Sequence, residues 1–199
     1  PNYNNNADGD EITSVAVGAT DSALFTTSLR RSFKGSQNMT KYNQVSAATS
    51  AVTDFRDTWQ SCTGLTGTFP LIDTSNGTTF NSAWYGCSGL TGTFPPIDIS
   101  SGTDFANTWR GCSGITTFPA LNFSSGTNFQ HTWSSCSGLT TFPQIDTSSG
   151  TNFNNTWSGC SGLSTFPVLD TSSGTTFQAT WQNCTGLSTF PSSIDVSNG

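Results

Sequence analysis

Charge is what this sequence most lacks. Asp, Glu, Lys and Arg together make up 9% of its 199 residues, the net charge is −6 and the isoelectric point is near 4.3. Five of the six basic residues (Arg30, Arg31, Lys34, Lys41 and Arg56) precede the first Trp, which leaves Arg110 alone in the remainder. A nucleic-acid binder carries a basic stripe on one face or helix, and this chain offers none. Acid–base and metal chemistry are equally short of material, with His131 the sole His and Glu11 the sole Glu. No apolar run approaches the length needed to span a bilayer. Hydrophobic residues reach only 33%, below the usual share of a globular domain.

What is present is order. Trp59, Trp84, Trp109, Trp133, Trp157 and Trp181 recur at steps of 25 or 24, and Cys62, Cys87, Cys112, Cys136, Cys160 and Cys184 each follow three residues later. Phe55, Phe80, Phe105, Phe129, Phe153 and Phe177 stand four residues before each Trp, and a second set from Phe69 to Phe190 is followed every time by Pro. A disordered polar chain has no reason to hold such a register. Fixed-period similarity in the low twenties predicts a repeat solenoid, in which each coil buries its apolar face only against its neighbours.

The chain divides accordingly. Residues 1–28 read as an Asn- and Asp-rich tail leading into a β-branched strand, Glu11 to Gly18. That strand either caps the first coil or is donated to a neighbouring subunit. Within the tail, Asn4-x-Asn6-x-Asp8-Gly9 matches the opening of a calcium loop, but Val15 stands where the bidentate Glu is required, so a solvated tail is the reading. Residues 29–54 form a degenerate first coil, with Phe33, Ser36, Met39 and Tyr42 in the Trp, Cys, Leu and Phe places. Residues 55–199 are the regular coils. The start at Pro1 suggests a processed, mature N-terminus. The match of Ile194–Gly199 to Ile72–Gly77 suggests that the last coil is incomplete, to be finished by further chain or by something else.

Within each coil, Phe, Trp and Cys at i, i+4 and i+7 predict one face of a short helix or helical turn. A Ser-Gly or Thr-Gly pair ends it. An extended run such as Leu163–Leu169 follows, with Pro at its end or at a place where no N–H is needed. An added Gly in the first two coils (Gly67, Gly92) predicts a one-residue bulge.

The pattern Cys-x-x-Leu-x-x-Phe-Pro-x-Leu-Asp, preceded by Phe-x-x-x-Trp, resembles the BspA-type leucine-rich repeats of bacterial surface proteins, over roughly residues 29–199. The resemblance implies an LRR-like right-handed coil of 24–25-residue repeats, each a short strand plus a short helix or helical turn. It also implies a non-enzymatic protein at the cell surface or outside the cell, often an adhesin. The unbroken Trp column and the low charge depart from the family pattern.

Three constellations could carry chemistry. The Cys column, on the helical face, predicts buried free thiols, although neighbouring pairs could bridge if that side of the stack is tight. With one Cys per coil there is no zinc-type pairing. Asp73, Asp98, Asn122, Asp146, Asp170 and Asp195 each lie two residues before a Ser. That spacing fits an Asx-turn, which Asn122 serves as well as Asp, or cation binding between stacked carboxylates. His131 could join a Ser/His/Asp arrangement, but a surface variant is the simpler reading. No catalytic residue, cofactor or metal is expected. Sequons at Asn38, Asn76, Asn122, Asn154 and Asn183 are candidate glycosylation sites, with Asn183 expected to be inaccessible beside a buried Cys, and the Ser/Thr-rich turns are candidate O-glycan sites. Together these readings predict a secreted subunit that self-associates head to tail into a fibre, or alternatively an adhesin or phage-fibre module that binds a glycan or host protein.

Overall fold

The computed structural model describes residues 14–17, 27–38, 41–44, 49–66 and 72–199. The calcium-like tail motif, Met39 and Gly67 lie outside the described residues. Regular secondary structure is sparse. Strand β1 (Ser14–Val17) pairs in parallel with β2 (Lys41–Gln44), Ser14 opposite Lys41 and Val17 opposite Gln44. Strand β3 (Gly92–Thr93) pairs in parallel with β4 (Ile115–Thr117). The register shifts between Gly92 and Thr93, and Gly92 has φ +78°, so the added Gly of that repeat does form a bulge. Elsewhere the extended runs are joined by single bonds, such as Thr140 N–H to Thr116 C=O and Ser164 N–H to Thr140 C=O. Pro after each Phe cannot donate, which keeps these ladders short.

Contact between repeats is continuous on the other side. Parallel bridges run Ser28–Asp54–Thr79–Asp104–Asn128–Asn152–Thr176, one per repeat. From each bridge the chain enters the Phe-x-x-x-Trp-x-x-Cys segment. The helix or helical turn expected there is absent, and no α-helix occurs among the described residues. The segment is a series of tight turns in which the residues two before and two after each Trp take left-handed backbone. At the first place these are Asp57, Ser82, Asn107, His131, Asn155 and Ala179. At the second they are Ser61, Gly86, Gly111, Ser135, Gly159 and Asn183.

The hydrogen bonds explain why this backbone is adopted. Thr156, Ser158 and Cys160 donate to the carbonyls of Phe153, Asn155 and Trp157, three residues back. The intervening Phe153, Asn155, Trp157 and Gly159 donate to Thr176, Gln178, Thr180 and Gln182 of the next repeat, at 2.7–2.9 Å. Alternate N–H groups thus close the local turns and tie one repeat to the next. Left-handed backbone costs an L-residue roughly 1–2 kcal/mol, and Asn, Asp and Gly lessen that cost. The inter-repeat bonds offset it in the interior repeats, while Ala179 and Asn183 keep the same backbone with no forward bond among the described residues.

A close approach recurs just past each Cys. A Cβ built on Gly162 would lie 2.5 Å from the Ser137 carbonyl oxygen and 2.7 Å from that of Leu139, both in the preceding repeat. Gly162→Ala must therefore push two repeats apart. The expected loss is about 2 kcal/mol, within the range for overpacking, or a fall in Tm of about 4–8 °C for a chain of this size. An unchanged thermal melt would show that the approach is not tight.

The interior is built of columns. Trp59, Trp84, Trp109, Trp133 and Trp157 are fully buried, with neighbouring indoles 5.1–5.8 Å apart and within 11° of parallel. A parallel Phe column runs beside them, with Phe105 and Phe129 at 5.8 Å and Phe129 and Phe153 at 5.5 Å. Phe rings from the extended runs meet the indoles edge to face, as Phe142 meets Trp133 at 4.9 Å and 76°. Offset-stacked and T-shaped pairs are the arrangements the ring quadrupole favours. The indole N–H groups of Trp109, Trp133 and Trp157 find no hydrogen-bond acceptor. This costs the core about 1–3 kcal/mol each, with only the adjoining Phe rings as weak acceptors.

Candidate functional site

The Cys column lies directly behind the indoles. All six cysteines are free thiols; Cys62, Cys87, Cys112, Cys136 and Cys160 are buried and Cys184 is half-buried. Each turn aims its thiol along the stack. The S–H groups of Cys87, Cys112, Cys136, Cys160 and Cys184 donate to the carbonyls of Trp59, Trp84, Trp109, Trp133 and Trp157 in the preceding repeat, at 2.9–3.1 Å. Desolvation is the main cause that pushes the Cys62 thiol up to about 12 and Cys87, Cys112, Cys136 and Cys160 well above the usual thiol range. A thiol of this kind is neither a nucleophile nor a metal ligand at neutral pH. No group of three or more His, Cys, Asp or Glu placed to hold a metal occurs among the described residues.

The Asp column closes local turns. The carboxylate oxygens of Asp73, Asp98, Asp146, Asp170 and Asp195, and the amide oxygen of Asn122, accept the N–H of the Ser two residues on, at 2.9–3.1 Å. In four of them the Ser hydroxyl donates as well, at 2.6–2.7 Å. Hydrogen bonds from the Ser N–H and hydroxyl hold Asp98 below the ordinary carboxylate range, and those from the Ser hydroxyl and N–H do the same for Asp146 and Asp170. The neutral Asn122 fills the same place with the same geometry, so the turn needs an acceptor rather than a charge.

His131 occupies one of the left-handed positions and is half-buried, and its Nδ1 has no hydrogen-bond partner. Burial first, and Arg110 second, lower its pKa, so the ring is neutral. No Ser hydroxyl or carboxylate is bonded to it, and the geometry of a triad is missing. Arg110 lies with its guanidinium 5.7 Å from the Tyr85 ring centroid and donates to the Asn107 amide oxygen at 3.3 Å.

The sequons fall at two kinds of place. Asn38, Asn76 and Asn122 are exposed and Asn154 is half-buried. The Asn76 side-chain amide donates to the Ser50 carbonyl at 2.8 Å, and the Asn154 amide oxygen accepts the Gln178 N–H at 2.8 Å. Asn183, expected to be inaccessible, is exposed, as is Ser135 at the same place in an interior repeat.

Burial declines over the last repeat, residues 177–199. Phe177, Trp181, Cys184, Leu187 and Ile194 are only partly buried, whereas their counterparts in the preceding repeat are buried. Phe190 and Val196 are 48% and 46% exposed. The N–H groups of Phe177, Ala179, Trp181 and Asn183, which in earlier repeats reach forward, donate to nothing among the described residues. At the other end the carbonyls of Ser28, Arg30, Ser32 and Lys34 accept nothing among the described residues. This polarity follows from the backbone and was not visible in side-chain identities.

No known protein family matches the chain, and neither a curated protein nor a solved structure does. No helix among the described residues is long and apolar enough to cross a membrane.

Proposed function

We propose that this chain is a solenoidal, non-enzymatic, extracellular structural protein whose copies stack end to end into a fibre. The observation that carries the reading is the repeat-to-repeat contact itself: alternate N–H groups of each repeat donate to carbonyls of the next, and the indoles stack at 5.1–5.8 Å, a contact that a second copy would extend. A contact of that kind is heterologous and gives an open filament when its rotation does not close. The resemblance to BspA-type repeats, which rests on the residues alone, supports an extracellular setting, as does the low charge of the sequence.

The test is electron microscopy and sedimentation of the 199-residue chain across a concentration series. Filaments that lengthen with concentration, and are shortened by Phe190→Asp, are the expected result. A strictly monomeric species at high concentration, with residues 1–28 intact, overturns the reading.

One observation favours a second reading, an adhesin or phage-fibre module. Tyr85, Arg110 and His131 depart from the residues around them and place a cation over an aromatic ring on the surface. Selective binding of the isolated monomer to a glycan array, lost in Arg110→Gln, would support it.

A further inference from the structure

The fold puts many of its recurring hydroxyls to work, and one column of Ser and Thr stands out as unbonded in every repeat. Thr78, Thr103, Thr127, Thr151 and Thr175 donate to carbonyls of the preceding repeat at 3.1–3.3 Å. Thr108, Thr132, Thr156 and Thr180 donate to Phe carbonyls at 2.7–3.0 Å from buried positions. Ser75, Ser100, Ser148 and Ser172 donate to their own Asp. These last are the Ser/Thr-rich turns that the sequence offers as O-glycan acceptors, and their hydroxyls are already engaged.

That column follows each Cys. Thr63, Ser88, Ser113, Ser137, Ser161 and Thr185 are all exposed, and their hydroxyls make no hydrogen bond among the described residues. The turn they sit in is closed by backbone alone, as Leu139 N–H to Cys136 C=O at 3.1 Å and Leu163 N–H to Cys160 C=O at 3.2 Å. The following Gly is fixed by the close approach of the preceding repeat, but nothing packs on the Ser or Thr. Other outward positions change chemistry freely. The residue after each Trp is Gln60, Tyr85, Arg110, Ser134, Ser158 or Gln182. After the Cys, Ser exchanges with β-branched Thr, a poorer turn residue, and the hydroxyl is the feature they share. Thr141, Thr165 and Thr189 in the extended run also have hydroxyls unbonded among the described residues, but Thr93 and Thr117 of that column bond to each other and β-branched residues suit extended backbone in any case. Ser125 and Ser173 of the Asp turns are likewise unbonded, but Asn76 and Asn198 take their place in other repeats.

We propose that Thr63, Ser88, Ser113, Ser137, Ser161 and Thr185 are sites of covalent O-glycosylation, one sugar per repeat. In that reaction the side-chain oxygen attacks the anomeric carbon of a sugar nucleotide held by a glycosyltransferase. A C–O bond forms, the bond from the anomeric carbon to the diphosphate breaks, and the nucleoside diphosphate leaves with the electron pair. The hydroxyl proton passes to a base of the transferase. Successive repeats are spaced like their indoles, so the sugars form a line along one edge. They supply the hydration that so few charges cannot give. This inference does not depend on fibre assembly, since a monomer would carry the same column.

Intact-mass and electron-transfer fragmentation spectra of the protein from its native source provide the test. The expected result is a mass above the 21.0 kDa polypeptide in sugar-sized steps, mapped to these six residues. A mass of 21.0 kDa, or sugars found only on sequon Asn residues or on the Asp-turn Ser residues, overturns it. A second measurement separates modification from folding. Ser137→Ala with Ser161→Ala in unmodified chain should leave Tm within about 1–2 °C, as for surface substitutions that remove no contact. A larger fall would mean that the hydroxyls serve the fold, and would also overturn the proposal.

Discussion

Raising the pH from 8 to 11 is expected to unfold the repeat array through its thiols. In the folded state Cys62, Cys87, Cys112, Cys136 and Cys160 are held protonated by desolvation, Cys62 up to about 12 and the others well above the usual range. In the unfolded chain they ionise near the ordinary thiol value of about 8.5. Above that pH the unfolded state binds fewer protons than the folded one, so stability falls as pH rises. The loss begins near the unfolded value and continues up to the folded one. Each thiol contributes about 1.4 kcal/mol per pH unit in that window. Five together remove roughly 7 kcal/mol per pH unit in that window, comparable to the whole stability of a typical domain. The transition should be visible by circular dichroism and Trp fluorescence. Cys112→Ser with Cys136→Ser should move it to higher pH, because a hydroxyl does not ionise there; Ser36 already sits fully buried in the Cys place of the first repeat. A chain that stays folded beyond pH 11 would contradict buried free thiols.

Trp133→Ala should produce the largest effect of any single substitution. The indole is fully buried between Trp109 at 5.8 Å and Trp157 at 5.6 Å, with Phe118, Phe123 and Phe142 at its edges. Truncating a buried aromatic costs about 3–5 kcal/mol, a Tm fall of roughly 6–20 °C here. Stability in a stack is a sum of repeat terms and nearest-neighbour interfaces, so a gap in the middle weakens two interfaces at once. Calorimetry should resolve the single transition into two, one for the repeats on each side of residue 133. One unsplit transition at nearly the wild-type temperature would contradict a core held by ring-on-ring contact. The same change at Trp181 should cost far less, because that ring is only half-buried.

The columns were legible because Trp, Phe and Cys recur at one spacing and have no other way to be buried in so polar a chain. The backbone between them was less so. Spacings of i, i+4 and i+7 suit a helical face, but they equally suit two successive turns, and hydrophobic positions alone do not separate the two. The discriminating signal lay in the polar residues between. Asp57, Asn107, Asn155, Gly86, Gly111 and Gly159 are types that tolerate left-handed backbone, and they recur two residues before or after a Trp. The Asx-turns were readable because Asp and its Ser partner are local. The thiol-to-carbonyl ladder was not, since each bond joins residues 27 or 28 positions apart and depends on which way a turn tips the side chain. The uncovered N–H groups at one end and carbonyls at the other belong to the main chain and leave no mark on residue identity.

The alternation of local and forward hydrogen bonds has a mechanical consequence. The forward bonds point from each repeat to the next, so a pull applied between the two ends acts along them rather than across them. They would part a repeat at a time, each release freeing about 24 residues, or roughly 80 Å of extended chain. Such a molecule yields in steps and absorbs work at each one, instead of snapping at a single load.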